Sequence, residues 1–97
     1  MITAKEARKL AGVPDLEYVN DAVEKLCHTI SALAKSGKRI LRTGYDHHGD
    51  DDLWQTGGYS QTKEWKAAVE KLQKLGFEVR FHYEQRQFVD LYTEVKW

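Results

Sequence analysis

The residues best able to do chemistry are concentrated between Thr43 and Ser60, in the stretch TGYDHHGDDDLWQTGGYS. Asp46, His47, His48, Asp50, Asp51 and Asp52 offer imidazole and carboxylate groups of the kind that bind zinc or another divalent ion. Their spacing argues against it. Adjacent histidines in a loop do not easily point at one ion, and the i, i+4 pair of helical zinc sites is absent. Read as a calcium loop from Asp46, the stretch puts Asp51 where glycine must turn the chain and Gly57 where a bidentate glutamate belongs. His47, His48 and Asp50 are the set through which it would hold an ion, but no metal or other cofactor is expected, and a solvated acidic loop is the plainer reading.

The same stretch permits two kinds of binding. Gly57 and Gly58 precede a helix, and amides exposed at a helix start favour a phosphate. Arg42, Tyr45, Gly57, Gly58, Thr62 and Lys63 would then hold a phosphate-bearing nucleotide, with Tyr45, Trp54 or Tyr59 stacked on the base. Against this, no G-x-x-x-x-G-K-[ST] loop is present, the aspartates repel phosphate, and paired glycines are commonly turn residues. The other reading is recognition of a protein. Asp46, Asp50, Asp51 and Asp52 would steer toward a basic surface while Trp54 and Tyr59 anchor the contact. Trp54 can equally be a plug that pins the segment onto the domain.

Catalysis finds little support elsewhere. Cys27 and His28 are neighbours on a helix and diverge by about 100°, so they form no thiolate pair. Cys27 falls on an apolar stripe and reads as a small core residue. His82 would approach Asp90 across a hairpin, a pairing that is usually structural. Ser31, Ser36 and Ser60 lack the strand–turn–helix context of a nucleophile. No enzyme is expected.

These groups must be positioned by the surrounding elements. Thr3 with Glu6 makes a capping box that opens a short helix, which Gly12 ends. Pro14 and Asp15 open a longer one, in which Val19, Val23, Leu26, Ile30 and Leu33 line one face up to Ser36-Gly37. KRILRTGY predicts a strand around Ile40 and Leu41. Thr62 caps a third helix with a stripe of Trp65, Ala68, Val69, Leu72 and Leu75, stopped by Gly76. FEVRFHY and FVDLYTEVKW both alternate, and EQRQ is short enough to join them as a hairpin. The order α-α-β-α-β-β predicts an α+β domain over residues 1–97, with an extended polar loop at 44–60. Its three-stranded mixed sheet has the two main helices packed on one face. Strand order is left open, although the last strand is long enough to pair with both others. The uncovered face, with Arg80, His82, Asp90, Tyr92 and Glu94, would be solvated or serve self-association.

Composition limits the partners further. Fifteen basic residues balance fifteen acidic ones, so no global field recruits nucleic acid or an anionic membrane. One cysteine excludes an internal disulfide and suits a reducing compartment. No apolar run approaches the roughly 18 residues that span a bilayer. MITAKEARKLAG has lysines but lacks the apolar centre of a signal peptide, so a cytosolic location is expected.

The two ends, MITAKEARKLAG and KLGFEVRFHYEQ running into LYTEVKW, resemble a diffuse group of small proteins encoded by tailed bacteriophages. Members begin with an ITAxEAR-like helix and close with a hairpin ending in tryptophan. The group has no common activity, so the resemblance implies a fold and a phage origin and carries over no catalytic residue. The chain departs from the pattern in its longer, more polar middle. The expected function is a non-enzymatic accessory protein that binds a host macromolecule through residues 44–60 and modulates or inhibits a host process. Sequestering a nucleotide, or acting as a minor virion or assembly component, are the alternatives.

Overall fold

The computed structural model describes residues 1–85 and 89–97. Along the chain come α1 (Ala4–Leu10), α2 (Leu16–Lys35), β1 (Ile40–Arg42), a π-helix (Asp52–Thr56), α3 (Gly57–Ser60), α4 (Lys63–Lys74), β2 (Glu78–Gln85) and β3 (Val89–Lys96). The fold is α+β, with the predicted order of major elements. The expected link over residues 84–87 and the strand start at Phe88 fall partly on residues 86–88, outside the described residues.

α1, α2 and α4 each start where a side-chain oxygen meets an otherwise unpaired amide. Thr3 accepts from the Glu6 N–H, Asp15 from Tyr18 and Thr62 from Trp65. The last strand takes the centre of the sheet, giving the order β1-β3-β2 with both pairings antiparallel. β1 and β2 therefore run in the same direction without touching, which lets α4 carry the chain from one sheet edge to the other. Leu41 lies opposite Val95, and Val79 lies opposite Val95 on the other side.

α2 and α4 cover one sheet face. Val19, Ala22, Val23, Leu26 and Ile30 of α2 meet Ala68 and Leu72 of α4 over Leu41 and Val95 in one core. Leu33 and Cys27 are half-buried against it, and burial raises the Cys27 thiol pKa, partly offset by Lys71. Leu75, read as the end of the α4 stripe, caps the helix and lies exposed.

Residues 44–60 do not form the extended polar loop that their composition suggests. The chain winds into helical turns from Asp51 to Ser60 and drives Leu53 and Trp54 into the core, where Trp54 is fully buried. The π-helix explains how adjacent side chains both reach the interior. The Gly57 N–H bonds back to the Asp52 carbonyl, five residues earlier, and widens the turn. A Cβ on Gly57 would stand 2.9 Å from that carbonyl oxygen, so the site requires glycine.

A buried threonine secures this insertion. Thr93 Oγ1 accepts from Trp65 Nε1 at 3.1 Å and donates to the Trp54 carbonyl, while the Thr93 N–H donates to Thr43 Oγ1 at 2.9 Å. Both threonines are buried, and these bonds satisfy polar groups that would otherwise be costly there.

Candidate functional site

The structure does not gather residues 44–60 at one place. At the near end, a tight turn links β1 to the rest. The Arg42 N–H donates to Asp46 Oδ2 at 2.9 Å, and the Asp46 N–H returns to the Arg42 carbonyl. Asp46, expected to meet a partner, instead closes this turn. Tyr45 leaves the turn and crosses to the uncovered sheet face, where its hydroxyl donates to Asp90 and its ring meets Tyr92 edge-on. The hydrogen bond to Asp90 raises the Tyr45 pKa, with burial a smaller contribution.

His47 turns the other way and is buried, with Nδ1 at 2.7 Å from Thr29 Oγ1 on α2. His48 is exposed, and His47, His48 and Asp50 form no potential ion-holding group among the described residues. Burial lowers the His47 pKa below 6.5; Asp50 and Asp51 oppose this shift and His48 reinforces it. In the unfolded chain the ring protonates near 6.5, so below that pH the unfolded state binds more protons than the folded one. Stability is therefore expected to be complete above about pH 6.5 and to fall as the pH drops toward the folded-state value. Urea midpoints compared at about pH 7.5 and 5.5 should show this loss in the native chain and a smaller one in His47→Gln. Equal losses in both would place the pH sensitivity elsewhere.

The acidic run lies at the opposite end of α2. Asp50, in a left-handed conformation, receives the Leu53 and Trp54 N–H groups on its carbonyl and starts the helical segment. Asp51 and Asp52 then project to solvent. Asp50, Asp52 and Glu64 lie close enough to Tyr18 to add to the effect of burial in raising its pKa.

Here the chain forms a cleft of about 710 Å³. α1 contributes Lys5, Arg8 and Lys9 to its lining, while Asp15, Glu17, Asp52 and Glu64 come from the body of the domain. Val13, Leu16 and Tyr18 supply apolar surface between the two groups and are 43%, 55% and 38% exposed. α1 buries none of its residues. The cleft is thus apolar along its middle, basic on one side and acidic on the other.

The remaining candidates go elsewhere. Trp54, proposed from the sequence as an anchor for a partner, is inaccessible. Tyr59 is exposed but rests on Tyr83 at the β2 edge, outside the cleft lining. Nor do the nucleotide candidates surround one space. Gly57 and Gly58 are buried in packing, Thr62 lines the cleft but is occupied as the α4 cap, and Lys63 lies over Gly12. Arg42 stands opposite Glu94 on β1, and Tyr45 is bound to Asp90.

Val13, Leu16, Tyr18 and the basic side of α1 were missed by the sequence reading. The available signal was that Tyr18 lies about 100° off the Val19–Val23–Leu26 stripe at the start of the same helix, whereas Leu16, three residues before Val19, continues the stripe by spacing and gave none.

No protein-family model matches the chain, and no solved structure matches it. Over 58 residues it is 38% identical to the beta subunit of a beta-hexosaminidase from Entamoeba histolytica. That match covers 60% of this chain and 10% of the hexosaminidase subunit, so it conveys neither a family nor an activity. Among the described residues no helix is long and apolar enough to cross a membrane.

Proposed function

We propose that this chain is a non-enzymatic binding protein that takes a segment of another protein into the cleft between α1 and the start of α2. The reading rests above all on α1, which buries nothing of its own while lining a cleft with exposed Val13, Leu16 and Tyr18 at its centre. Exposed apolar surface rimmed by charge is what protein interfaces use. The opposed charges specify the occupant. It is an amphipathic segment whose basic edge meets Asp52 and Glu64, and whose acidic edge meets Lys5, Arg8 and Lys9. Asp50 and Asp51 extend the acidic side and steer the approach.

The likeness of both chain ends to small tailed-phage proteins supports a host macromolecule as the partner, in the host cytosol. Modulation or inhibition of a host process would be the outcome. Asp50, Asp51 and Asp52 keep the contact role expected of them, while Tyr18 and Leu16 replace Trp54 and Tyr59 as anchors.

Selection of displayed peptides on the immobilised chain tests this. Enriched sequences should carry a spaced apolar stripe flanked by basic residues on one edge and acidic ones on the other. Their binding should weaken by at least about tenfold, or 1.4 kcal/mol, on the doubly reversed Asp51→Lys, Asp52→Lys surface. Enrichment of nothing, or of peptides indifferent to that reversal, contradicts the proposal.

A further inference from the structure

The uncovered sheet face carries a second constellation, none of whose members lines the cleft. His82 and Glu84 are two residues apart on β2 and so project from the same face. The β2–β3 register sets Glu84 opposite Asp90 and His82 opposite Tyr92, which places Asp90 diagonally across from His82. His82 Nε2 lies 3.5 Å from Glu84 Oε2 and 4.0 Å from Asp90 Oδ2. Ligand atoms from all three residues fall within 4.8 Å of one another, the one such group among the described residues.

These separations are close to what an ion needs. Nitrogen and oxygen ligands at 2.0–2.2 Å from a tetrahedral zinc stand about 3.4 Å apart, so small side-chain rotations would close the set. Two further contacts orient it. Asp90 Oδ1 accepts the Tyr45 hydroxyl at 2.7 Å, which fixes the carboxylate and leaves Oδ2 facing His82. Carboxylates that ligate metals are commonly held by just such an outer hydrogen bond. The His82 ring is stacked on Tyr92, with centroids 4.6 Å apart and planes within 19°, and Tyr92 is itself buried. The imidazole therefore rests on a fixed platform.

We propose that His82, Glu84 and Asp90 bind one divalent transition-metal ion through His82 Nε2 and one oxygen of each carboxylate. The imidazole favours zinc, cobalt or nickel over magnesium and calcium, which prefer all-oxygen sites. Three protein ligands leave the remaining coordination positions facing solvent, since the side chains are 36–40% exposed.

The test is titration of the tag-free chain with Zn²⁺ by calorimetry and with Co²⁺ by visible absorption. One ion per chain is expected, with saturable binding lost in His82→Ala and in Asp90→Asn. Tyr45→Phe should keep the stoichiometry and weaken binding by about tenfold or more, as removal of an outer partner does. His48→Ala, which alters an exposed histidine outside the group, should bind as the native chain does. Circular dichroism checks that each variant is folded, with His82→Gln as the substitute for a ligand variant that is not. Absence of saturable binding, or undiminished binding in folded His82→Ala or His82→Gln, overturns the proposal.

Discussion

Replacing Trp54 by alanine is expected to destabilise the chain by about 3–5 kcal/mol, the usual cost of removing a large buried aromatic side chain. Trp54 is fully buried and belongs to the same core as Leu26, Leu41 and Leu72. It is also the plug that ties the segment after β1 to both layers, since its carbonyl accepts from Thr93 at the sheet centre. The indole N–H has no hydrogen-bond partner among the described residues. Trp54→Phe, which removes that polar group and keeps an aromatic ring, should therefore cost much less than Trp54→Ala. Urea unfolding at neutral pH measures both. A Trp54→Ala variant within about 0.5 kcal/mol of the native chain would mean that the indole lies at the surface, as in the partner-anchor reading of the sequence.

The second large effect concerns Gly58, and its sign is the informative part. Gly58 lies in α3 with buried surroundings. In an open helix, glycine to alanine should gain about 1 kcal/mol from helix propensity. A Cβ here would overlap the Phe81 ring and come within 3.0 Å of Trp65 Nε1. Overpacking of a filled core costs about 1–3 kcal/mol, so crowding outweighs propensity and Gly58→Ala is expected to destabilise. Combining it with Phe81→Ala should recover part of the loss, because the two changes share one contact. A stabilised Gly58→Ala, or strictly additive losses in the pair, would return Gly57-Gly58 to the status of an open turn available to a ligand.

Much of the scaffold was legible because it follows from local rules. The caps at Thr3, Asp15 and Thr62, the stripe from Val19 to Ile30 and the alternation of β2 each depend on a few neighbouring residues. Strand order was not legible, because β1 and β2 both fit β3 and the choice of its central position depends on where α4 returns the chain. The candidate site was harder to read for a related reason. The composition of residues 44–60 is polar, yet the turn after β1 sends Tyr45 to the uncovered sheet face and His47 to the interior, and the π-turn buries Leu53 and Trp54 while Asp51 stays exposed. A one-dimensional reading treats such neighbours as one loop with one purpose. The histidines show this: His47, from the adjacent pair, is bonded to Thr29 in the interior, while the group proposed to hold an ion uses His82, 35 residues further on.

The proposed recognition occurs where the acidic run meets the apolar surface at the start of α2. It is tested most directly by titrating the ¹⁵N-labelled chain with a selected amphipathic peptide and following the amide resonances. Perturbations are expected at Lys5, Arg8, Leu16, Tyr18 and Asp50–Asp52, with the amides of Tyr59, His82 and Tyr92 unmoved. Perturbations confined to the uncovered sheet face or to the Tyr59–Tyr83 edge would contradict it.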